Sequence, residues 1–467
     1  MTPNPNLFAI IALLAWPAVA LFLYQTRPLR QATLWTILGG YLLLPVGTTI
    51  KFEMIPQFDK VSIPNLSALI GCTLIAGRSV RWSNGFGLPE VLLLTFLLGP
   101  FVTSEFNGDP VSIGGRILPG VGHYDAMSAV VGEFLFLIPF FLGRQFFRRA
   151  VDNAEVLRVL IAAGLFYSLP MLFEIRMSPQ LHTWIYGYFP HSFVQQMREG
   201  GFRPVVFLGH GLLVAFFIMT TAVAAAAYSR TQSRVLRLPA AGVTAYLSVV
   251  LVLCKTLGAL IYGAALMLLV RFTKPQLQVR IALALVVIAL LYPTLRAADL
   301  FPTRTMVELA RSVSEDRAGS LKFRFDNEDL LLDHAWRRFL FGWGRFGRSR
   351  VYDDDSGRDV SVTDGRWIIT MGQYGFVGFL AEFGLLALAI ARAASALKFA
   401  ETTEEQIFLA ALALIVAINV IDLLPNASLS PWTWLLAGAL LGRAEGVYGV
   451  AQARRGSAQL KAVTFGR

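Results

Sequence analysis

The chain has 467 residues, of which 55% are hydrophobic and 15% charged, with a mean hydropathy of +0.58. That is more apolar surface than a water-soluble fold of this size can hide, so composition excludes a soluble enzyme and indicates an all-α polytopic membrane protein. The net charge of +11 invites a nucleic-acid reading, but the basic residues fall in short connections between apolar runs. Topology and anionic lipid headgroups account for them there, and no nucleic-acid partner is expected.

In chain order, runs long enough to cross about 30 Å of hydrocarbon as helices predict about thirteen spans, within a range of roughly twelve to fourteen. They lie near 6–25, 31–49, 62–77, 88–104, 124–143, 154–173, 204–228, 238–254, 257–270, 281–295, 368–391, 406–424 and 430–442. The first run lacks a basic leader and reads as a retained helix. The organisation expected is a bundle of spans 1–10 over residues 1–295, a catalytic loop with amphipathic helices over 296–367, spans 11–13 over 368–443, and a loosely ordered basic tail over 444–467.

Short connections rich in Lys and Arg stay cytoplasmic. Here they alternate: Arg27 and Arg30; Arg78 and Arg81; Arg144, Arg148, Arg149 and Arg158; Arg230, Arg234 and Arg237; Arg271, Lys274 and Arg280; Arg392 and Lys398; and the tail with Arg443, Arg454, Arg455 and Lys461. This predicts an outside N-terminus, a cytoplasmic C-terminus, and four larger outside segments at 50–61, 101–123, 174–203 and 296–367. The last is a charge-dense island in an apolar protein, and long loops translocate whatever their charge.

Ionisable groups at or in a membrane are expensive, so each is a functional candidate. Lys255, in Cys-Lys-Thr-Leu-Gly-Ala-Leu, lies at the outer junction of the eighth and ninth spans, where snorkelling is the plain alternative. His210 falls a little more than one turn inside the seventh span between Gly209 and Gly211, with Arg203 at its mouth. Glu174 and Asp422 read as boundary residues. In the island, Arg324 precedes an amphipathic stretch, Leu330-Leu-Leu-Asp-His-Ala-Trp-Arg-Arg-Phe, in which His334 belongs to the polar face and Arg338 is a candidate substrate contact. The stretch ends at Phe341-Gly-Trp-Gly-Arg-Phe-Gly, a turn suited to close backbone approach. Asp353-Asp-Asp reads as a solvated turn before it reads as a cation site. Asp364 stands at the membrane boundary between Arg358 and Arg366, and Arg366 is a further substrate-binding candidate. Cys72 and Cys254 lie in apolar runs, where neither a disulfide framework nor a metal site is expected. No nucleotide loop, zinc spacing or nucleophile elbow occurs, so no metal and no cofactor is expected.

Several of these pieces occur in the order found in the O-antigen ligase and O-antigen polymerase superfamily of bacterial envelope glycosyltransferases, whose architecture is of the GT-C-like membrane type. The resemblance covers roughly residues 200 to 425. Cys254-Lys-Thr-Leu-Gly-Ala resembles that family's small-residue motif with a basic group at adjacent spans. Arg324 through Phe341-Gly-Trp-Gly resembles its large loop, and Asp364-Gly followed by Gln373-Tyr-Gly-Phe-Val-Gly378 resembles its histidine-bearing entry to the next helix. Two positions depart: Lys255 stands for an arginine and Asp364 for the histidine.

The resemblance implies metal-independent, inverting transfer of glycan from undecaprenyl pyrophosphate to a sugar hydroxyl on the periplasmic side of the inner membrane. Arg324, Lys255 and Arg203 would hold the pyrophosphate, and Asp364 would take the hydroxyl proton. Polymerisation of exopolysaccharide or O-antigen repeats is preferred over ligation to a lipid A-core because of the Asp364 departure. Expected partners are the lipid-linked donor, a glycan or lipid-linked acceptor, membrane lipids, and flippase and chain-length regulator proteins. A lipid-linked glycan flippase is the rival from another class, disfavoured by the absence of an internal repeat, and an envelope scaffold is the third.

Overall fold

A computed structural model describes residues 4–52, 55–83, 85–198 and 200–465, with side-chain surroundings given as far as Tyr448. Helix α1 (Leu7–Thr26) is capped by Asn6, whose Oδ1 accepts from Ala9 N at 3.0 Å. Next come α2 (Leu29–Leu43), a β1 (Ile50–Phe52)–β2 (Ile55–Phe58) hairpin, and α3 (Ser62–Ile70) with a π turn to Ile75. Helix α4 (Leu88–Glu105) is joined by a β3 (Val111–Ile113)–β4 (Arg116–Leu118) hairpin to α5 (His123–Phe146) and α6 (Ala150–Met177). The short α7 (Leu181–Tyr186) and the β5 (Met197–Arg198)–β6 (Gly201–Phe202) hairpin lead into α8 (Gly211–Thr231). After the β7 (Arg234–Val235)–β8 (Leu238–Pro239) hairpin follow α9 (Ala240–Leu253), α10 (Leu257–Phe272) and α11 (Pro275–Ala297). The island folds as α12 (Thr303–Val313) and α13 (Glu315–Trp336) with a long return, then α14 (Arg366–Ala396), α15 (Thr403–Asp422) and α16 (Pro431–Phe465).

Each predicted span coincides with a helix, yet among the described residues eight are long and apolar enough to cross a membrane: α1, α4, α5, α6, α8, α11, α14 and α15. The runs at 62–77, 238–254 and 257–270 form shorter apolar helices, because Pro, Gly and the Lys255 turn interrupt them. Helices α9 and α10 rise about 21 and 24 Å, against about 31 Å for α8. The tail expected to be loosely ordered continues α16 as a helix to Phe465; the side chains of Arg454, Arg455 and Lys461 lie outside the described residues.

Helices α8 and α15 form the centre and are buried along almost their whole length. Around them, α5 and α16 meet along a glycine seam. A Cβ added at Gly438, Gly442 or Gly446 would lie 2.1, 2.3 or 2.5 Å from the carbonyl oxygens of Phe140, Arg144 and Arg148. Glycines four apart present one bare face, so the backbones approach as far as van der Waals contact allows. Below this seam, several basic residues assigned to lipid headgroups are held within the protein. Arg144 pairs with Glu90 at 2.8 Å and Glu445 at 2.5 Å, Arg443 pairs with Glu405, and Arg30 pairs with Asp152 at 2.9 Å.

Helix α14 breaks at Gly375, where φ is +68°. The freed backbone groups are taken up by the island's return. Phe376 N and Val377 N donate to Phe339 O and Leu340 O at 2.7 and 3.1 Å, while Trp343 N and Gly344 N donate to Gly372 O and Gln373 O at 2.8 and 2.9 Å. A membrane helix tolerates such a break only where other protein satisfies it. The glycine-rich turn expected to approach a ligand therefore approaches this helix. A Cβ at Gly375 would sit 2.4 Å from Leu340 C and O, so Gly375→Ala is expected to cost more than about 2 kcal/mol, combining the left-handed penalty with overpacking. Thermal unfolding of purified protein checks this, with Gly384→Ala, whose new Cβ meets only the flexible Leu92 side chain at 3.6 Å, as the silent control.

Candidate functional site

Residues from five separate segments converge at the end of the bundle where the island lies. The first segment is the connection from α6 to α8, which Glu174 anchors. This fully buried carboxylate accepts from Val205 N and Val206 N at 2.7 and 2.8 Å with one oxygen and from Leu181 N at 3.0 Å with the other. Val206 is held at φ +46°, a costly conformation for a β-branched residue that three charge-assisted bonds offset. Glu174 thus acts as a backbone clamp that sets where Arg203 and His210 stand.

Just outside the clamp, Arg203 N donates to Gln196 O at 2.8 Å and Arg203 Nε donates to Lys255 O at 3.2 Å. Lys255 Nζ donates back to Arg198 O at 3.2 Å. Lys255 occupies the tip of the short α9–α10 hairpin at φ +50°, so a left-handed turn carries the cation where glycine would be relaxed. Gly201 and Gly211 permit the close fit: a Cβ on the first would stand 2.5 Å from Lys255 Nζ, and on the second 2.9 Å from Arg203 Cβ.

His210 is the N-cap of α8 rather than a residue inside the span, because the chain before Gly211 is tied to Glu174 and cannot wind. Its Nδ1 accepts from Leu212 N at 3.0 Å, which places the ring proton on Nε2, facing Gln195 Oε1 at 3.5 Å. The His191 ring packs edge-on at 4.7 Å. Burial first, then the charge fields of His191, Arg203, Arg324 and Arg198, push the His210 pKa down to about 4. At neutral pH it is an uncharged hydrogen-bond donor with no lone pair to spare, which suits it to a ligand oxygen and unsuits it as a base.

The remaining segments bring Arg324, Asp364 and Asp422. Arg324 lies within α13, not ahead of a later helix as its sequence context suggested, and its Nε stands 3.4 Å from Asp364 Oδ2. Asp364 directly precedes α14, whose first amide, Arg366 N, donates to Leu423 O and Asn426 O at 2.9 and 3.2 Å. Asp422 ends α15 and accepts from Asn426 Nδ2 at 2.9 Å and Ser428 Oγ at 2.6 Å, within the electrostatic reach of Arg324. Arg198, Arg203 and Arg324 act together on His210, Lys255 is tied to Arg203 and Arg198, and Asp364 and Asp422 lie beside Arg324, an excess of positive charge that favours a polyvalent anion.

The sequence-based set divides here. Arg203, His210, Lys255, Arg324 and Asp364 come together; Arg338, His334 and Arg366 do not. Arg338 is bound to Phe106 O and Asn107 Oδ1, lies 3.4 Å from Asp109, and stacks over Trp343 at 4.5 Å, so it locks the island onto the end of α4. His334 is ten residues beyond Arg324 in α13, about 15 Å along the axis. It lies flat on Trp343 at 4.3 Å with Nε2 donating to Arg348 O at 3.0 Å, and burial lowers its pKa. Arg366 makes a two-pronged pair with the fully buried Glu382 at 2.7 and 2.8 Å. Asp353 caps its own turn, accepting from Ser356 N at 2.8 Å and Ser356 Oγ at 2.6 Å.

Sequence reasoning missed Arg198, on β5, Gln196, at the end of a 3-10 turn over Val194–Gln196, and His191, in the bend before that turn, and it undervalued Glu174 and Asp422. The only prior signal was an acid at the outer end of a span. Compared with known proteins, the chain matches no family model and no curated protein.

Proposed function

We propose that the protein is a membrane glycosyltransferase that transfers or polymerises undecaprenyl-pyrophosphate-linked oligosaccharide repeats at the periplasmic face of the bacterial inner membrane, as an exopolysaccharide or O-antigen polymerase of the superfamily it resembles. The observation that carries the reading is that Arg203, which donates to Lys255 O at the tip of a helical hairpin, and Arg324, which pairs with Asp364 at 3.4 Å, both act on His210. A lipid carrier presents its pyrophosphate at the membrane boundary, and clustered cations there bind it and stabilise the charge that grows on the leaving oxygen.

In the proposed step, the Asp364 carboxylate accepts the proton of an acceptor hydroxyl while that oxygen attacks the anomeric carbon. The bond from the anomeric carbon to the pyrophosphate oxygen breaks, and its electron pair leaves with the phosphate. One glycosidic bond is formed, isoprenoid pyrophosphate is released, and the anomeric centre inverts. Neutral His210 donates its Nε2 proton as a hydrogen bond to a phosphate oxygen without competing for the acceptor proton.

Purified protein in lipid, supplied with radiolabelled undecaprenyl-pyrophosphate oligosaccharide, tests this. Label appearing in longer glycan with release of the carrier is the expected result; label that only crosses the bilayer would instead identify a flippase. The reading also requires the island outside and the C-terminus inside. A cysteine introduced at Asp354, in a variant lacking Cys72 and Cys254, is expected to react in intact spheroplasts with a membrane-impermeant maleimide, and reaction only after lysis would overturn the orientation.

A further inference from the structure

A second groove lies apart from the Arg324 cluster, between α4, the start of α5 and the glycine-rich turn of the island. Its lining is mainly apolar, with Pro100, Val121 and Phe346, and carries Ser104, Asp125, Arg345 and Tyr374 among its polar groups. The cavity is shallow, about 10 Å³, so a ligand lies across it and is not swallowed by it. Along α5, Asp125 and Glu133 are eight residues apart on one face, with the buried Ala129 between them. Behind the groove, Glu133 hydrogen-bonds the lining residue Tyr374 and lies within reach of the fields of Arg366, Glu382 and Arg345.

Phe346 is the residue this groove has to explain. In Gly342-Trp-Gly-Arg-Phe-Gly347, the left-handed positions at 342, 344 and 347 are glycines with φ of +69°, +80° and +84°. The fourth is Phe346 at φ +61°. A bulky aromatic in that conformation is strained, and burial does not compensate, since the ring is 56% exposed. Arg345 stands over the ring at 5.8 Å, which is weak recompense. A strained, exposed aromatic next to an aspartate, an arginine, a serine and a tyrosine has the make-up of a surface that receives something from outside.

We infer that this groove is a carbohydrate subsite that holds the acceptor glycan, with Phe346 as the stacking platform and Asp125 and Arg345 as the hydroxyl-binding pair. The chemistry selects a sugar. The C–H face of a pyranose is weakly positive and packs on the negative face of an aromatic ring, while vicinal hydroxyls match the paired oxygens of a carboxylate and the forked N–H groups of a guanidinium. Asp125 and Arg345 bring opposite charges, which disfavours a phosphate and suits a neutral or mildly acidic sugar. The groove deepens the proposed transfer reaction and rests on it for the word acceptor: donor pyrophosphate sits at Arg324, and the incoming chain lies on Phe346.

The test uses full-length protein in nanodiscs, with oligosaccharides released by mild acid from the surface polysaccharide of the cells that make the protein as the probe. Saturation-transfer NMR is expected to show ring C–H protons of the sugar in contact with wild-type protein. Phe346→Gly relieves the strain and is expected to raise the melting temperature while weakening the apparent affinity at least tenfold; Asp125→Asn, which keeps an acceptor for the α5 cap, is expected to weaken it without loss of fold. Arg324→Ala is expected to leave it unchanged. No contact with wild-type protein, unchanged binding in Phe346→Gly, or loss of binding confined to Arg324→Ala would each overturn the inference. Groove binding that persists in a protein showing no glycan transfer would sink the proposed function and leave the subsite standing.

Discussion

Arg324→Ala is expected to abolish detectable product, a loss of at least about a thousandfold, the upper range for removing one preorganised charge from a reacting oxyanion. The helix carrying it should persist. Arg324 lies in α13, is partly exposed and pairs with Asp364 at 3.4 Å, so alanine costs the fold little. Arg324→Lys is expected to recover only part of the activity, since an ammonium keeps the charge and loses the planar fork that grips two phosphate oxygens. Glycan synthesis by the alanine variant at wild-type levels and equal membrane abundance would remove Arg324 from the reaction.

Asp364→Asn is expected to lower turnover by roughly two to four orders of magnitude, the range for loss of a general base. An amide keeps the shape and a hydrogen-bonding oxygen but cannot keep the proton. The 3.4 Å pairing with Arg324 sharpens this prediction. Were Asp364 only a holder for Arg324, its loss would weaken donor binding and raise KM; as the base, it lowers kcat with KM for the donor little changed. Because the two side chains touch, the Arg324→Ala and Asp364→Asn losses are expected to combine less than additively. Lys255→Ala is expected to behave differently, raising KM for the donor as well as slowing turnover. Single-turnover kinetics on the purified variants separate these outcomes, and wild-type turnover in Asp364→Asn would show that proton removal needs no carboxylate here.

The helices were readable because a run of apolar residues has one low-energy state in hydrocarbon, and each predicted run falls on a helix, though among the described residues eight are long and apolar enough to cross a membrane. What the runs could not reveal was packing. Gly438, Gly442 and Gly446 were visible as a spacing, yet only contact with Phe140, Arg144 and Arg148 gives that spacing its meaning. The site divided along a similar line. Arg324 and Asp364 were each singled out, but nothing over forty residues of sequence indicates that they meet. Arg366 and Arg338 were assigned to substrate because an arginine at a membrane edge reads the same whether a ligand or the protein satisfies it. Glu382, the partner of Arg366, lies inside an apolar run, where a lone acid is a signal that a search of the loops passes over. Hydropathy puts His210 inside a helix, because it counts Pro204 through Leu208 as apolar and cannot register that Glu174 holds the amides of Val205 and Val206.

The short α9–α10 hairpin has a consequence for the lipid around it. Set in a bilayer, helices of 14 and 16 residues would cover less than roughly 30 Å of hydrocarbon, and a bilayer meets a short apolar surface by thinning beside it. The leaflet that faces Lys255 would dimple there, and a carrier lipid diffusing past would have its headgroup drawn down toward the hairpin tip without any contact from the protein. Bilayer thickness would then be a variable of the proposed reaction in its own right: short-chain lipids would relax the dimple, and long-chain lipids would deepen it.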